Sequence, residues 1–383
     1  MQFKLKTISK KFIKEEIASV GFDKSYLDCA LNKHKFLSIK IFELDTRQAT
    51  ILKQTALSSD CDCALNRGVL DNSVEFSDVI LSGTINQLND VCQKLTKQPF
   101  NMKKLSNDIL DLIEKTSFEP KTPKIMGILN ITDDSFSDAG EFLQIEKSLN
   151  HAIDMIEQGA KIIDIGAQAT NPNAQMISPS LETERLTPIV IALKRAYPNI
   201  EISIDTFNFE TAKTALDLGC DIINDVSFLK NIEFLKLIKL YDKKLVIMHS
   251  KGDNKTMDEL CDYENLIEDI YFDLKYKINV ANSYGLNENN LILDVGFGFA
   301  KTITQNIELM KRIKEFKTLG YPLLCGVSRK RFMQDIINTK EAKDADFISA
   351  LSAFYLMENS VDIIRAHNVE LTKQALQLHC ALL

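Results

Sequence analysis

The sequence is poor in the residues and runs that mark a fibrous, disordered or membrane-spanning chain. Glycine numbers 14 and proline 8 in 383 residues, against a hydrophobic fraction of 45% and a charged fraction of 26%. That balance excludes collagen-like repeats and compositional disorder. No apolar run approaches the roughly 18 residues that a spanning helix needs, and the longest, around 189–193, is short and flanked by charge. The opening Met1-Gln-Phe-Lys-Leu-Lys alternates polar and apolar residues and lacks the apolar core of a signal peptide. A cytoplasmic chain with no membrane partner is therefore expected. The eight cysteines form no CxxC pair, and several lie in apolar runs, where a thiol behaves as a small hydrophobe. Cys61-Asp-Cys63 is only a weak metal signal. HExxH, a Cys/His cluster and GxGxxG are missing too, which leaves zinc hydrolysis and dinucleotide binding without support. A basic excess is lacking: 46 Lys and Arg stand against 53 Asp and Glu, a net charge of −7. Nucleic acid is not an expected partner, whereas small anions need only a local basic cluster.

What is present is a rhythm. From Lys124 onward, short β-branched runs alternate with longer amphipathic ones, eight times over. The strand positions are 124–129, 161–167, 201–206, 221–227, 244–250, 291–297, 322–328 and 362–367. Each is a nearly continuous apolar run, as expected of a parallel strand covered on both faces. Helix-like stretches 145–158 and 208–218 end in Gly159 and Gly219, the residue type favoured just past a last turn. Ser180 and Asp344 look like the openings of others. Strict βα alternation means a parallel sheet, and eight units fit an α/β fold of the (β/α)8 TIM-barrel type, in preference to an open doubly wound sheet. Residues 1–120 stand outside this rhythm. Strands at 37–44 and 79–82 and helices at 49–57, 85–95 and 105–115 make them a small α/β N-terminal extension, with the boundary near 120–123 and the barrel at 123–383. No catalytic constellation is visible in it.

In a barrel of this kind the active site lies at the C-terminal mouth. The expected strand ends are rich in polar groups: Asn130, Asp164, Asp205, Asn224-Asp225, His249, Asp294, Ser328-Arg329-Lys330, and Arg365 with His367. Each has a bland reading. Asp225 is expected to be a cap or turn former, and His249 a packed, hydrogen-bonded histidine. Arg329 is expected at the surface. The joint pattern favours catalysis at the mouth. Asp205, Asn224 and Asp294 suit a flat heterocycle with an amidine-like N–H edge, because a carboxylate accepts two parallel N–H donors. Lys330 can donate to such a ring. Asn130, Arg365 and His367 become neighbours when the barrel closes, and suit a phosphate or pyrophosphate with a divalent ion. Loops 130–142 and 168–179 have the Ser, Thr, Asn and Asp content of mobile lids.

These residues fall in motifs with a clear likeness. Met126-Gly-Ile-Leu-Asn-Ile-Thr-Asp-Asp-Ser-Phe-Ser-Asp-Ala-Gly140 resembles the signature of the dihydropteroate synthase family, the sulfonamide-target enzymes of folate synthesis. Ile163-Asp-Ile-Gly166 with Thr170, Ser203-Ile-Asp-Thr206, Ile223-Asn-Asp225, Asp294-Val-Gly-Phe-Gly-Phe299, Gly326-Val-Ser-Arg-Lys330 and Ile364-Arg-Ala-His367 resemble its later motifs in order. The resemblance implies that Asp205, Asn224, Asp294, Gly326 and Lys330 hold a pterin ring whose faces Met248 and Phe299 cover. It implies that Asn130, Arg365 and His367 bind pyrophosphate and Mg2+, with Asn130 on the metal. Phe136, Thr170, Pro172 and Lys330 would shape a p-aminobenzoate pocket, with Asp138 near the developing positive charge. Lys330, Asp138, Arg365 and His367 would thus carry an SN1-like displacement of pyrophosphate by the aryl amine. A homodimer through the last barrel helices is the family's expectation.

The chain departs from the family pattern at Asp133, at Ala167-Gln-Ala169 and at Val295. Asn171 replaces a loop arginine, and Arg331 replaces the serine that meets the p-aminobenzoate carboxylate. Arg331 is expected to take over that contact. These two departures motivate a rival reading, a non-catalytic pterin-binding paralogue. A methyltetrahydrofolate–corrinoid methyltransferase would share the ring clamp but needs neither Ser-Arg-Lys nor Arg-x-His. A Schiff-base aldolase would require desolvation of Lys330, which nothing in the sequence suggests.

Overall fold

The computed structural model describes residues 3–116, 122–131, 141–167, 177–227, 229–252 and 256–383. Its packing divides the chain into two compact units, Met1–Phe118 and Glu119–Leu383. The first runs α1 (Ile13–Ser19), α2 (Leu27–Asn32), β1 (Phe36–Asp45), α3 (Thr46–Leu57), β2 (Asp62–Leu65), β3 (Phe76–Thr84), α4 (Ile85–Leu95) and α5 (Met102–Thr116). Its antiparallel sheet has the order β1-β3-β2. Period-two alternation buries Ile39, Cys63, Val79 and Leu81 in one core with Leu52, Leu88 and Ile109 from the helices. Asp45 and Thr84 start α3 and α4 through capping boxes with Gln48 and Gln87. The short Asp-Cys-Ala-Leu of β2 has no β-branched residue and is not legible as a strand. Cys61 and Cys63 lie in this core, and burial pushes the Cys63 thiol up to about 11, the behaviour of a hydrophobe.

The second unit contains β4 (Lys124–Asn130), α6 (Glu141–Gln158), β5 (Ile162–Gly166), α7 (Pro179–Ala196), β6 (Glu201–Asp205), α8 (Phe209–Asp217), β7 (Ile222–Asp225) and α9 (Glu233–Tyr241). It continues with β8 (Lys244–Met248), α10 (Leu266–Ser283), β9 (Leu291–Asp294), α11 (Ile303–Lys311), β10 (Leu323–Cys325), α12 (Arg331–Ile337), α13 (Asp346–Glu358), β11 (Ile363–Ala366) and α14 (Val369–Leu382). The eight strands pair in sequence order and in parallel, and β11 on β4 closes the barrel. This is the expected TIM barrel. Gly159 and Gly219 follow their helices at φ +112° and +88°, as C′ glycines do. Two expected caps are displaced. Ser178 caps α7, its hydroxyl accepting from Leu181 N, because Pro179 already fills the first helical position. Asp344 accepts from Thr339 Oγ1 within a turn, and α13 starts at Asp346 without a side-chain cap.

Alternation along the strands sorts the core. Ile163, Ile165, Ile223, Ile247, Leu293, Cys325 and Ile364 pack outward against the helices. Met126, Ile162, Ile222, Val246, Ile292, Leu324 and Ile363 form a separate apolar layer inside the barrel. That layer is a floor. Whatever stands two residues further along each strand faces the mouth.

Candidate active site

Two residues above the floor stand Asp164, Asn224, Met248, Asp294, Gly326 and Arg365. Asp205 pairs with Asn224 across β6 and β7, and Met248 with Asp294 across β8 and β9. Arg365 is the hub. Its Nε donates to Asp164 Oδ2 at 2.6 Å and one terminal nitrogen to Asp205 Oδ2 at 2.6 Å. Asn224 Nδ2 donates to the same Asp164 oxygen at 3.3 Å. The other oxygen, Asp164 Oδ1, is buried without a hydrogen-bond partner among the described residues. An orphaned carboxylate oxygen of this kind is costly unless a ligand donor meets it. Sequence reasoning noted Asp164 at a strand end and gave it no role. Its burial (0% exposed) and its central bonds put it among the site residues.

The acids here are held away from their ordinary state. Burial pushes the Asp205 carboxyl up to about 7, against the pull of Arg365 and with the help of nearby Asp164, Glu182 and Asp225. Burial likewise raises Asp294, with Lys330 opposing. Asp294 Oδ1 accepts from Gly296 N at 2.8 Å and so shapes the turn after β9. Gly296 stands at φ +71°, and a Cβ there would strike the carbonyl oxygen of His249 at 1.9 Å.

Lys330 leans onto that turn. Its Nζ donates to the Phe297 carbonyl and lies 4.5 Å from the centroid of the Phe299 ring. Loss of hydration pulls the amine down to about 8. This corrects the expectation that nothing desolvates Lys330. Its nearest partners are a carbonyl and an aromatic face. His367 lies at the end of β11, where burial and the neighbouring Arg329 and Arg365 hold its imidazole down at about 4. Asn130 ends β4 exposed, next to the strand of Arg365. Arg331 is exposed at the first position of α12. Phe136, Asp138, Thr170 and Pro172 lie outside the described residues.

The bland readings of two residues hold. Asp225 accepts from Ser227 N at 2.7 Å and Leu229 N at 3.1 Å, forming a turn. His249 is buried, with Nδ1 3.2 Å from Lys301 Nζ. Lys301 was not anticipated. Its Nζ also donates to Gly296 O and Phe299 O, each at 2.9 Å, pinning the β9 turn from beneath. Burial lowers this amine to about 7. Lys277 Nζ, also buried, donates to Met248 O at 3.0 Å. A lysine directly after the run Gly-Phe-Gly-Phe-Ala was the available signal for the first. Arg329, expected at the surface, is half-buried, and Asp346 on α13 accepts both arms of its guanidinium, at 2.6 and 2.8 Å.

The mouth of the barrel thus sets carboxylates and an amide around an arginine, with a lysine and a histidine beside them. Residues 126–367 match the family model described as pterin binding enzyme. The dihydropteroate synthase of Streptococcus pyogenes is 40% identical over 249 residues, 64% of this chain and 90% of that protein. The chain belongs to the dihydropteroate synthase family and is a transferase of that type. The crystal structure of the synthase from Clostridium difficile, determined in the presence of pteroic acid, is 36% identical with a TM-score of 0.64. It covers 69% of this chain and 97% of its own. A Helicobacter pylori protein named bifunctional dihydropteroate synthase/dihydropteroate reductase is 31% identical over 370 residues, 96% of this chain and 95% of its own length.

Proposed function

We propose that the barrel condenses 6-hydroxymethyl-7,8-dihydropterin pyrophosphate with p-aminobenzoate, giving 7,8-dihydropteroate and pyrophosphate. The observation that carries this is the acceptor layer of Asp164, Asp205, Asn224 and Asp294, with Asp164 Oδ1 left without a partner among the described residues. The N–H-rich edge of a pterin would satisfy those oxygens, while Lys330 donates to its acceptor side and Met248 and Phe299 bound its faces. Gly326 keeps this strand end free of a side chain beside the stem of Arg365, whose Cβ would lie 3.6 Å from a Cβ added there. The C–O bond to pyrophosphate breaks, the C–N bond to the neutral aryl amine forms, and the amine's extra proton leaves to water. Arg365 and His367 would hold the departing pyrophosphate, with Asp138 near the transient positive charge on the pterin side.

Mg2+ fits the residues available. Asn130 offers an exposed neutral oxygen at the rim, and an ion held chiefly by phosphate oxygens and water needs only one or two from protein. When bound, the ion would neutralise charge on the leaving group. Arg331 would meet the p-aminobenzoate carboxylate in place of the family's serine, as would Phe136, Thr170 and Pro172 from the loops at its ring. Arg331→Ala should raise the KM for p-aminobenzoate about tenfold with little change for the pterin substrate, and an unchanged KM would sink that assignment. The carrying observation is tested by calorimetric titration with the dihydropterin pyrophosphate. Asp164→Asn should weaken binding by about tenfold or more, and wild-type affinity in that variant would remove the reading's main support.

A second activity is proposed from the Helicobacter relative, whose match covers 96% of this chain and so takes in most of residues 1–118. On that reading the chain also reduces dihydropteroate with an added hydride donor. A homodimer is proposed through α13, where Phe347, Leu351 and Tyr355, four residues apart, are 66%, 49% and 40% exposed along one stripe. The proposed compartment is the cytoplasm, in keeping with eight free cysteines. No helix among the described residues is long and apolar enough to cross a membrane.

A further inference from the structure

Arg329 stands between two residues of the site and occupies a conformation that its side chain does not favour. Its φ is +57°, in the left-handed region, where a residue other than glycine is strained. Four bonds hold it there. The guanidinium is forked onto Asp346 at 2.6 and 2.8 Å, a geometry that only arginine provides. Arg329 N donates to Ser349 Oγ at 3.2 Å, and its carbonyl accepts from Gln334 Nε2 at 2.8 Å. Asp346 in turn accepts from Asn368 Nδ2 at 3.1 Å, and Asn368 caps α14 directly after His367. The ends of β10 and β11 are thereby tied through one carboxylate.

The turn sets the position of both its neighbours. On one side Lys330 is directed onto the Phe297 carbonyl. On the other, Ser328 Oγ accepts from the backbone N–H of His367 at 3.1 Å and lies 3.1 Å from His367 Nδ1. A serine hydroxyl has one proton to give. With one lone pair of this oxygen taken by the backbone N–H, the hydroxyl is free to give its proton to Nδ1, and in that arrangement the neutral imidazole carries its own proton on Nε2. His367 then faces an anion as an N–H donor rather than as a cation.

We propose that Arg329 and Asp346 are a positioning pair for the transfer reaction: their ion pair holds residue 329 in its left-handed turn, so that Ser328 fixes His367 as the Nε2–H tautomer while Lys330 stays aimed at the β9 turn. The consequence for turnover rests on the assignment of His367 and Lys330 to substrate. The consequence for the histidine does not.

The test uses the full-length chain with Arg329→Gly, Arg329→Lys and Asp346→Asn. Glycine accepts the positive φ, so Arg329→Gly removes the clamp while relieving the backbone. Imidazole 15N shifts of His367, assigned through His367→Gln, report the tautomer without any substrate. The pair predicts an Nε2–H pattern in the wild type that becomes a tautomer mixture in Arg329→Gly and Asp346→Asn. It also predicts a fall in kcat of about 100-fold with KM changing far less, as misplacement of a reacting group by about 1 Å produces. Arg329→Lys, which keeps the charge and loses the fork, should fall between. The proposal is overturned if the variants keep wild-type shifts and a kcat within about twofold, or if Arg329→Gly fails to fold, which would make the pair structural only. If the wild type makes no product yet shows the tautomer and its loss, the clamp stands and the reaction reading falls.

Discussion

Asp205 and Lys330 are both held near neutrality, from opposite directions. The carboxyl is pushed up to about 7 by burial among other acids, and the amine pulled down to about 8 by burial near Arg365. Binding of the pterin N–H edge needs Asp205 ionised, and donation into the ring needs Lys330 protonated. The value of kcat/KM should therefore rise as pH passes about 7 and fall as it passes about 8, a narrow bell. Asp205→Asn should erase the acid limb and leave the alkaline one, measured as log kcat/KM for the pterin substrate between pH 5.5 and 9.5. An acid limb that persists in Asp205→Asn would assign it elsewhere. The same shift bears on stability with a definite sign. An acid whose folded pKa is raised binds its proton more tightly in the native state, so the fold loses this contribution as pH climbs from 3.8 to about 7. Most of these residues were legible as strand-end polar groups. Their protonation was not, because it depends on how many acids the closing barrel brings together, and Asp164 was undervalued for the same reason.

At the scale of elements, the turn from β9 to α11 is built by residues that never face the mouth. Lys301 satisfies two carbonyls and meets His249 from beneath, and Asn306 accepts from Gly298 N at 2.7 Å while donating to Lys301 O at 3.1 Å. Lys301→Met should remove the amine donor from Phe299 O and leave Gly296 O with only the Phe299 N–H, costing about 2–3 kcal/mol. Urea unfolding at pH 7 measures this, and an unchanged midpoint would mean that water replaces the amine. The strands and the glycine-ended helices could be read in advance because each follows from local periodicity or a positive φ. The caps of α7 and α13 could not, since a proline at the first helical position and an arginine arriving from β10 decide them. The strand β2 was missed for want of any intrinsic preference, and exists because β3 offers it a partner.

Among the described residues the two units share no hydrophobic cluster: one lies in the first unit, and two, outside and inside the strands, lie in the barrel. Two unfolding transitions are expected in calorimetry of the full chain, and one in a chain of residues 119–383. That shorter chain should keep synthase turnover and lose any reduction of dihydropteroate, which would assign the second activity to the first unit. Loss of both activities together would tie the units functionally. With a net charge of −7, anionic substrates need a local basic cluster. The barrel supplies one, with Lys330, Arg365 and exposed Arg331 around a mouth whose acids are themselves paired or held toward the protonated state. The account's central claim is that this mouth joins pterin to aryl amine. Its most direct test is to incubate the full-length chain with 6-hydroxymethyl-7,8-dihydropterin pyrophosphate, p-aminobenzoate and Mg2+, and to quantify products by mass spectrometry. The account predicts 7,8-dihydropteroate and pyrophosphate in equal amounts, abolished in Lys330→Ala. Retained pterin binding with no product would contradict it and identify the chain as a binder that does not condense.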